Sequence, residues 1–250
     1  ALYDRVALPN EVFAQRVYKK YKDPSFLTVL GSARFSRDWG AVLDEIVPPF
    51  DWQPGGTKVL FILSKKGPYV DWDEVNRITL RLSRDPRVAL AIKPHPRTEI
   101  SGIPQFVAGP QVRLAPAELP TASLIHWADL VVFWGSSVIY DALRLRKPTL
   151  HLAYLFKLHF DFEDYMKSWT VRSYEDFEAR LEEFLASGGA TYSEAEAGSC
   201  MENLVEQKGA STMQRYVDFI LGHLGRPQNA ATAESQDGSQ HLASRRAGTI

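Results

Sequence analysis

Cysteine is nearly missing from this sequence. Cys200 is the only one among 250 residues, so the chain can form neither an intrachain disulfide nor a cysteine-based zinc site. A dominant charge is missing too: 29 Lys and Arg face 30 Asp and Glu, for a net charge of −1. That balance argues against a dedicated binder of nucleic acid or of anionic membranes. No apolar run approaches the ~20 residues of a membrane-spanning helix, and no signal peptide opens the chain. The expectation is a soluble protein of the cytoplasm, including the inner face of the membrane. The first residue is Ala1 rather than Met, in helix-forming sequence, so the chain reads as a fragment or a processed product.

What is present is a globular composition, 45% hydrophobic, enough for one large domain or one domain plus pieces. The segment from Ala1 to Lys22 reads as helical in its second half, Phe26 to Leu30 as a short strand and Asp38 to Ile46 as a helix. Pro48-Pro49 and Pro54-Gly55-Gly56 break regular structure, so 51–57 reads as a linker. From Lys58 the rhythm alternates. Strands are expected at Lys58 to Leu63, Val88 to Ile92, Gln111 to Leu114, Asp129 to Trp134 and Thr149 to Leu152. Helices are expected at Asp71 to Ser83, Pro120 to Trp127 and Ser137 to Leu145. This β-α-β-α order predicts an α/β fold with a Rossmann-like parallel sheet and right-handed crossovers. Further helices are expected at Ser173 to Leu185 and Met213 to Leu224, with a polar loop from Gly188 to Ser199. The tail 226–250, almost without large apolar residues, reads as disordered.

Two short motifs stand at expected strand ends. Lys93-Pro94-His95-Pro96-Arg97 closes one strand, and Gly135-Ser136-Ser137 closes another and opens a helix. A helix start leaves its first N–H groups unpaired and carries roughly half a positive charge, which suits an anion, most often phosphate. His95 beside Lys93 and Arg97 supplies the side-chain half of such a site. Lys65 and Lys66 follow another strand, and ligands of parallel sheets bind outside the carboxyl ends of the strands.

The run ADLVVFWGSSVIYDALRLRKPTLHL together with KPHPR resembles the C-terminal nucleotide-binding domain of GT-B glycosyltransferases. In particular it is similar to bacterial CMP-sugar transferases (Kdo and sialic acid transferases) and to CDP-glycerol glycerophosphotransferases, which share His-Pro and Ser-Ser motifs. The resemblance covers Lys58 to Leu224. It implies that His95 contacts the donor phosphate and acts catalytically on the leaving group, by hydrogen bond or as proton donor. It implies that Gly135, Ser136 and Ser137 bind the same phosphate and that Asp141 holds the ribose, although Glu is more usual there. Lys65, Lys66, Lys93 and Arg97 complete the expected nucleotide and phosphate contacts. The catalytic base of such enzymes comes from an N-terminal acceptor domain. Residues 1–50 would be its remnant, with Arg34 of the GSARFS turn at the cleft, and 58–225 the donor-binding domain. The implied partners are a nucleotide-sugar donor, a glycan or lipid-linked acceptor and the missing acceptor domain. The implied setting is capsule or lipopolysaccharide synthesis, with no cofactor and no metal.

Each residue also has a plainer reading. His95 can cap a strand end, Ser136 can cap a helix, Asp141 can be a polar helix residue, and Lys65 and Lys66 a solvated pair. His126, His151 and His159 lack metal-ligand spacing and read as structural. Asp161, Glu163 and Asp164 read as a solvated acidic loop, and Tyr154, Phe156, Phe160, Phe162 and Tyr165 as core or interdomain packing. Three rival functions remain at this point. They are polyol-phosphate transfer from CDP-glycerol, a non-catalytic nucleotide-binding module, and a sugar-nucleotide 2-epimerase, which expects more carboxylates and histidines in the cleft.

Overall fold

The structure, a computed structural model, describes residues 5–21, 23–65, 67–97, 103–116, 118–187, 193–206 and 211–224. The tail expected at 226–250 and Lys66 lie outside them. The chain opens with a small unit. β1 (Val6–Leu8) pairs in parallel with β2 (Leu27–Val29) across α1 (Glu11–Tyr18), and α2 (Arg37–Ile46) follows. α1 is the helix expected in the second half of Ala1 to Lys22, whereas the strand at Val6–Leu8 before it is not expected from the sequence and is held by pairing with β2. Asn10 starts α1 by accepting from the Phe13 N–H at 2.7 Å and ties it down by donating to the Leu204 carbonyl at 2.9 Å. Among the described residues the buried apolar cluster of this unit is Leu8, Ala14 and Leu27, with Val6, Val17, Tyr18, Phe26 and Val29 packed against it.

No helix or strand is present from Val47 to Gly56. This stretch is pinned by Trp52, which stacks on Trp127 at 5.1 Å and accepts its indole N–H at 2.7 Å. Beyond it lies the main sheet: β3 (Thr57–Ile62), β4 (Val88–Lys93), β5 (Val112–Leu114), β6 (Leu130–Phe133), β7 (Thr149–Leu152) and β8 (Thr170–Val171). The order is β5-β4-β3-β6-β7-β8 and every neighbouring pair is parallel. The chain builds outward from β3 to β4 and β5, then crosses back to lay β6 on its other side. That reversal opens a crevice at the carboxyl ends of β3, β4 and β6.

Strands of this kind are apolar on both faces because helices cover both. Val59, Phe61 and Leu63 pack with Val75, Ile78 and Leu82 of α3 (Trp72–Arg84). Leu60 and Ile62 face the opposite way, toward α4 (Thr121–Trp127) and α5 (Ile139–Arg144). α6 (Tyr174–Ser187) joins α3, and α7 (Glu194–Leu204) joins α4 and α5. Each such buried side chain contributes ~1.5–3 kcal/mol. α8 (Thr212–Leu224) turns back to the first unit, where the Tyr216 hydroxyl donates to the Gly31 carbonyl at 3.1 Å. No helix among the described residues is long and apolar enough to cross a membrane.

The expected loop from Gly188 to Ser199 is corrected in its second half, where α7 runs. Ser193 caps it by accepting from the Glu196 N–H at 3.3 Å, and Ala197, Cys200, Met201 and Leu204 recur at helical spacing into the core.

Candidate functional site

Three strand ends meet in one cleft of about 360 Å³, lined by Ser64, Lys65, Val70, His95, Trp134, Gly135, Ser136, Ser137 and Phe156. Ser64 and Lys65 follow β3, His95 follows β4, and Gly135 to Ser137 follow β6. The ends are locked together beyond the regular ladders: the Leu63 N–H donates to the Lys93 carbonyl at 2.9 Å, and the Ser64 hydroxyl to the Trp134 carbonyl at 2.7 Å. The turn out of β6 depends on Gly135, whose φ of +51° is left-handed. Its N–H donates to Nε2 of buried His151 at 3.5 Å. α5 begins only at Ile139 and is six residues long, shorter than the helix expected from Ser137. Ser136 accepts the Val138 N–H on its hydroxyl at 3.3 Å, a local turn before the helix. Among the described residues, the main-chain N–H groups of Ser136 and Ser137 and the Ser137 hydroxyl have no partner.

His95 is half-buried, and its Nδ1 accepts the Arg97 N–H at 3.1 Å. The neutral ring therefore carries its proton on Nε2, leaving a donor for a ligand. Burial holds its pKa below the ordinary value, with Arg97 and Lys65 adding to the effect. The same two cations that disfavour an imidazolium make the corner electropositive and favour an anion. His151 is pushed down to about 3 by burial, then by Arg172 and His159, so it stays a neutral acceptor for the Gly135 N–H.

The other expected contacts fall elsewhere. Lys93 is a correction. It is 3% exposed and its ammonium donates to the Pro116 and Leu119 carbonyls at 2.7 Å each. Strand alternation puts it on the same face as Ala91, where it holds the Pro116 and Leu119 carbonyls. Arg97 is exposed and is not among the residues lining the cleft, though its charge acts on His95. Asp141 and Arg34 do not line it either. Burial raises the Asp141 pKa, while Arg144 and then Arg34 pull it down, so Arg34 and Asp141 act on each other. Arg34 lies over the Phe35 ring at 5.1 Å. Glu163 corrects the solvated-loop reading: it is 5% exposed and accepts the Phe160 N–H at 2.9 Å. His126 pairs with Asp44 at 2.9 Å, and His159 with Glu163 and Asp164. Sequence reasoning left out Val70, Trp134 and Phe156. Phe156 signalled itself only through the aromatic density after β7, which reads equally well as core; Trp134 read as the last residue of an apolar strand, and Val70 carried no signal.

Two larger cavities carry less chemistry. One of about 520 Å³ flanks α3 and is rich in arginine. Arg81 and Arg87 there are engaged, with Asp85 at 2.8 and 2.7 Å and with Glu182 at 2.6 and 2.7 Å. The other, about 430 Å³, lies between the 47–53 stretch and α4, beside Lys58 at the amino end of β3. Among the described residues no cluster of His, Cys, Asp and Glu could hold a metal.

No protein-family model matches this chain, and no curated protein matches it. Solved structures do. MnaA of S. aureus, in a co-structure with UDP, superposes with a TM-score of 0.58 at 12% identity, over 89% of this chain and 60% of that one. A putative UDP-N-acetylglucosamine 2-epimerase from Listeria monocytogenes gives 0.55 at 12%, over 91% and 61%. The glycotransferase of kitacinnamycin gives 0.54 at 15%, over 88% and 54%. The chain thus spans about three fifths of the length of the structures it matches. These likenesses define the fold, a Rossmann-like α/β arrangement of the GT-B kind.

Proposed function

We propose that this chain is the donor-binding part of a GT-B glycosyltransferase. The donor is a nucleotide-activated sugar, a CMP-sugar ahead of UDP- and GDP-sugars, used in bacterial capsule or lipopolysaccharide assembly on a glycan or lipid-linked acceptor. The carrying observation is that His95, Lys65 and the Gly135–Ser137 turn line one cleft at the switch point of the sheet. In this reading the Nε2–H of His95 and the N–H and hydroxyl groups of Ser136 and Ser137 surround the donor phosphate. Charge that grows there as the glycosidic bond breaks is met by donors already in place. Residues 1–50 are the remnant of the acceptor domain, 51–57 the linker and 58–225 the donor domain. Domain closure would align acceptor with donor and exclude water.

Calorimetry with CMP, CDP, UDP and GDP tests the base, with the cytidine nucleotides expected to bind most tightly. Equal weak binding of all four, unchanged in His95→Ala, would assign the motif a structural role. A second reading is supported by the small size of the first unit, whose buried apolar cluster among the described residues is Leu8, Ala14 and Leu27: alone, the 250 residues bind donor without turning it over. A transfer assay with CMP-sugar, run beside CDP-glycerol for the polyol-phosphate alternative, should show none. Robust transfer by this chain would mean that it carries its own base.

A further inference from the structure

The aromatic residues after β7 form an ordered stack that ends at the cleft. Phe162, 3% exposed, lies parallel to Phe160 with ring centres 5.5 Å apart and planes 9° apart. Phe160 continues to Phe156 at 5.7 Å and 23°. Such offset stacking is the favoured arrangement of aromatic rings. Phe156, half-buried, is the last of the three and lines the cleft with Ser136 and Ser137.

The stack is fixed from several sides. Glu163 accepts the Phe160 N–H, and the His151 ring stands edge-on to both Phe160 and Phe162. Phe156 is bridged to Val70 in antiparallel fashion, and the Asp71 N–H donates to the Leu155 carbonyl at 3.1 Å. The Gly135 turn rests directly on the rings. A Cβ at Gly135 would stand 2.8 Å from Phe160 Cζ and 3.8 Å from Phe156 Cδ1. An anchored aromatic wall and a set of unpaired N–H groups therefore adjoin each other within one cavity. Trp134, which lines the same cleft, is fully buried and packs on Phe61 and Trp72 with ring centres 5.6 and 6.4 Å away, so it backs the cavity from the core.

We propose that Phe156 is the platform of a ring subsite contiguous with the anion site. The cleft then takes a phosphate ester whose ring, nucleobase or pyranose, stacks on Phe156. This rests on reading the Gly135–Ser137 turn and His95 as a phosphate site. It adds where the rest of the ligand goes. Phe156 would also discriminate against ligands that carry no ring, such as inorganic phosphate.

The test is calorimetry on the 250-residue chain with inorganic phosphate, CMP and α-glucose 1-phosphate, for wild type, Phe156→Leu and Phe156→Tyr. At least one ring ester should bind wild type about fivefold or more tighter than inorganic phosphate, the low end of what stacking supplies. Phe156→Leu keeps apolar volume but has no π face. It should abolish that advantage while leaving phosphate affinity within about twofold, and Phe156→Tyr should preserve it. A loss confined to CMP identifies the base as the stacked ring, and one confined to glucose 1-phosphate identifies the sugar. Equal weakening of all three ligands would reduce Phe156 to a support for the Gly135 turn and overturn the proposal. So would ring esters that bind no better than phosphate. Failure of wild type to bind any of the three would overturn the phosphate reading itself. Proton NMR on wild type gives a check that needs no variant: ring protons of the bound ester should move upfield, and unshifted signals refute stacking.

Discussion

Replacing His95 by Ala is the sharpest probe of the cleft. The ring accepts the Arg97 N–H on Nδ1 at 3.1 Å, so the proton it can offer a ligand sits on Nε2. A hydrogen bond to a charged oxygen is worth ~1.5–3 kcal/mol, so losing it should weaken nucleotide binding by about 10-fold to 150-fold. The pH dependence adds a sign. Burial, Arg97 and Lys65 lower the His95 pKa in the empty cleft, whereas a bound phosphate oxygen favours the imidazolium and raises it. Affinity must then increase as pH falls from the bound-state pKa toward the free-state pKa, because binding takes up a proton in that window. A nucleotide sugar suits the assay because its diester phosphates keep constant charge between about pH 5 and 8. Calorimetry across that range, in buffers of different ionisation enthalpy, reads both affinity and proton uptake. His95→Ala should flatten the profile as well as weaken binding. Equal affinity in wild type and variant, with no proton uptake in either, would refute the assignment of His95 to the ligand.

Gly135→Ala places a Cβ in a left-handed conformation and 2.8 Å from Phe160. The backbone term alone costs ~1–2 kcal/mol, so the thermal midpoint should drop and phosphate affinity with it; an unchanged midpoint contradicts the geometry. His151 is held to about 3 by burial, so below about pH 6.5 the unfolded chain takes up a proton that the folded chain refuses. That group alone should lower stability by ~1.4 kcal/mol per pH unit as pH falls from about 6.5 toward 3. His151→Gln, which can still accept the Gly135 N–H, should flatten that slope in denaturant titrations and retain phosphate affinity, whereas His151→Leu should lose affinity as well.

The short apolar runs between Lys58 and Leu152 announced the parallel sheet, since a strand covered on both faces must be apolar at successive positions. Thr149–Leu152 came out residue for residue, and the other strands within two residues at each end. The same local logic failed for Val6–Leu8, where a strand exists only because Leu27–Val29 lies beside it. It also failed at α7, whose polar surface hid the spacing of Ala197, Cys200, Met201 and Leu204. β8, two residues long, had no pattern to read.

Residue type and position along the chain were enough to nominate His95 and the Gly135–Ser137 turn, because strand ends and glycine turns leave backbone donors unpaired wherever they occur. Their meeting in one cleft depended on strand order, with β3 placed between β4 and β6. Lys93 shows the converse. The strand pleat and the loop carbonyls of Pro116 and Leu119 turned a nominated phosphate ligand into a structural anchor. Phe156 could be seen only in three dimensions, since a ring in an aromatic-rich segment looks the same in sequence whether it ends in the core or at a cleft. Local sequence determines what each strand end can offer, whereas the pairing of distant strands decides which of those groups face one another.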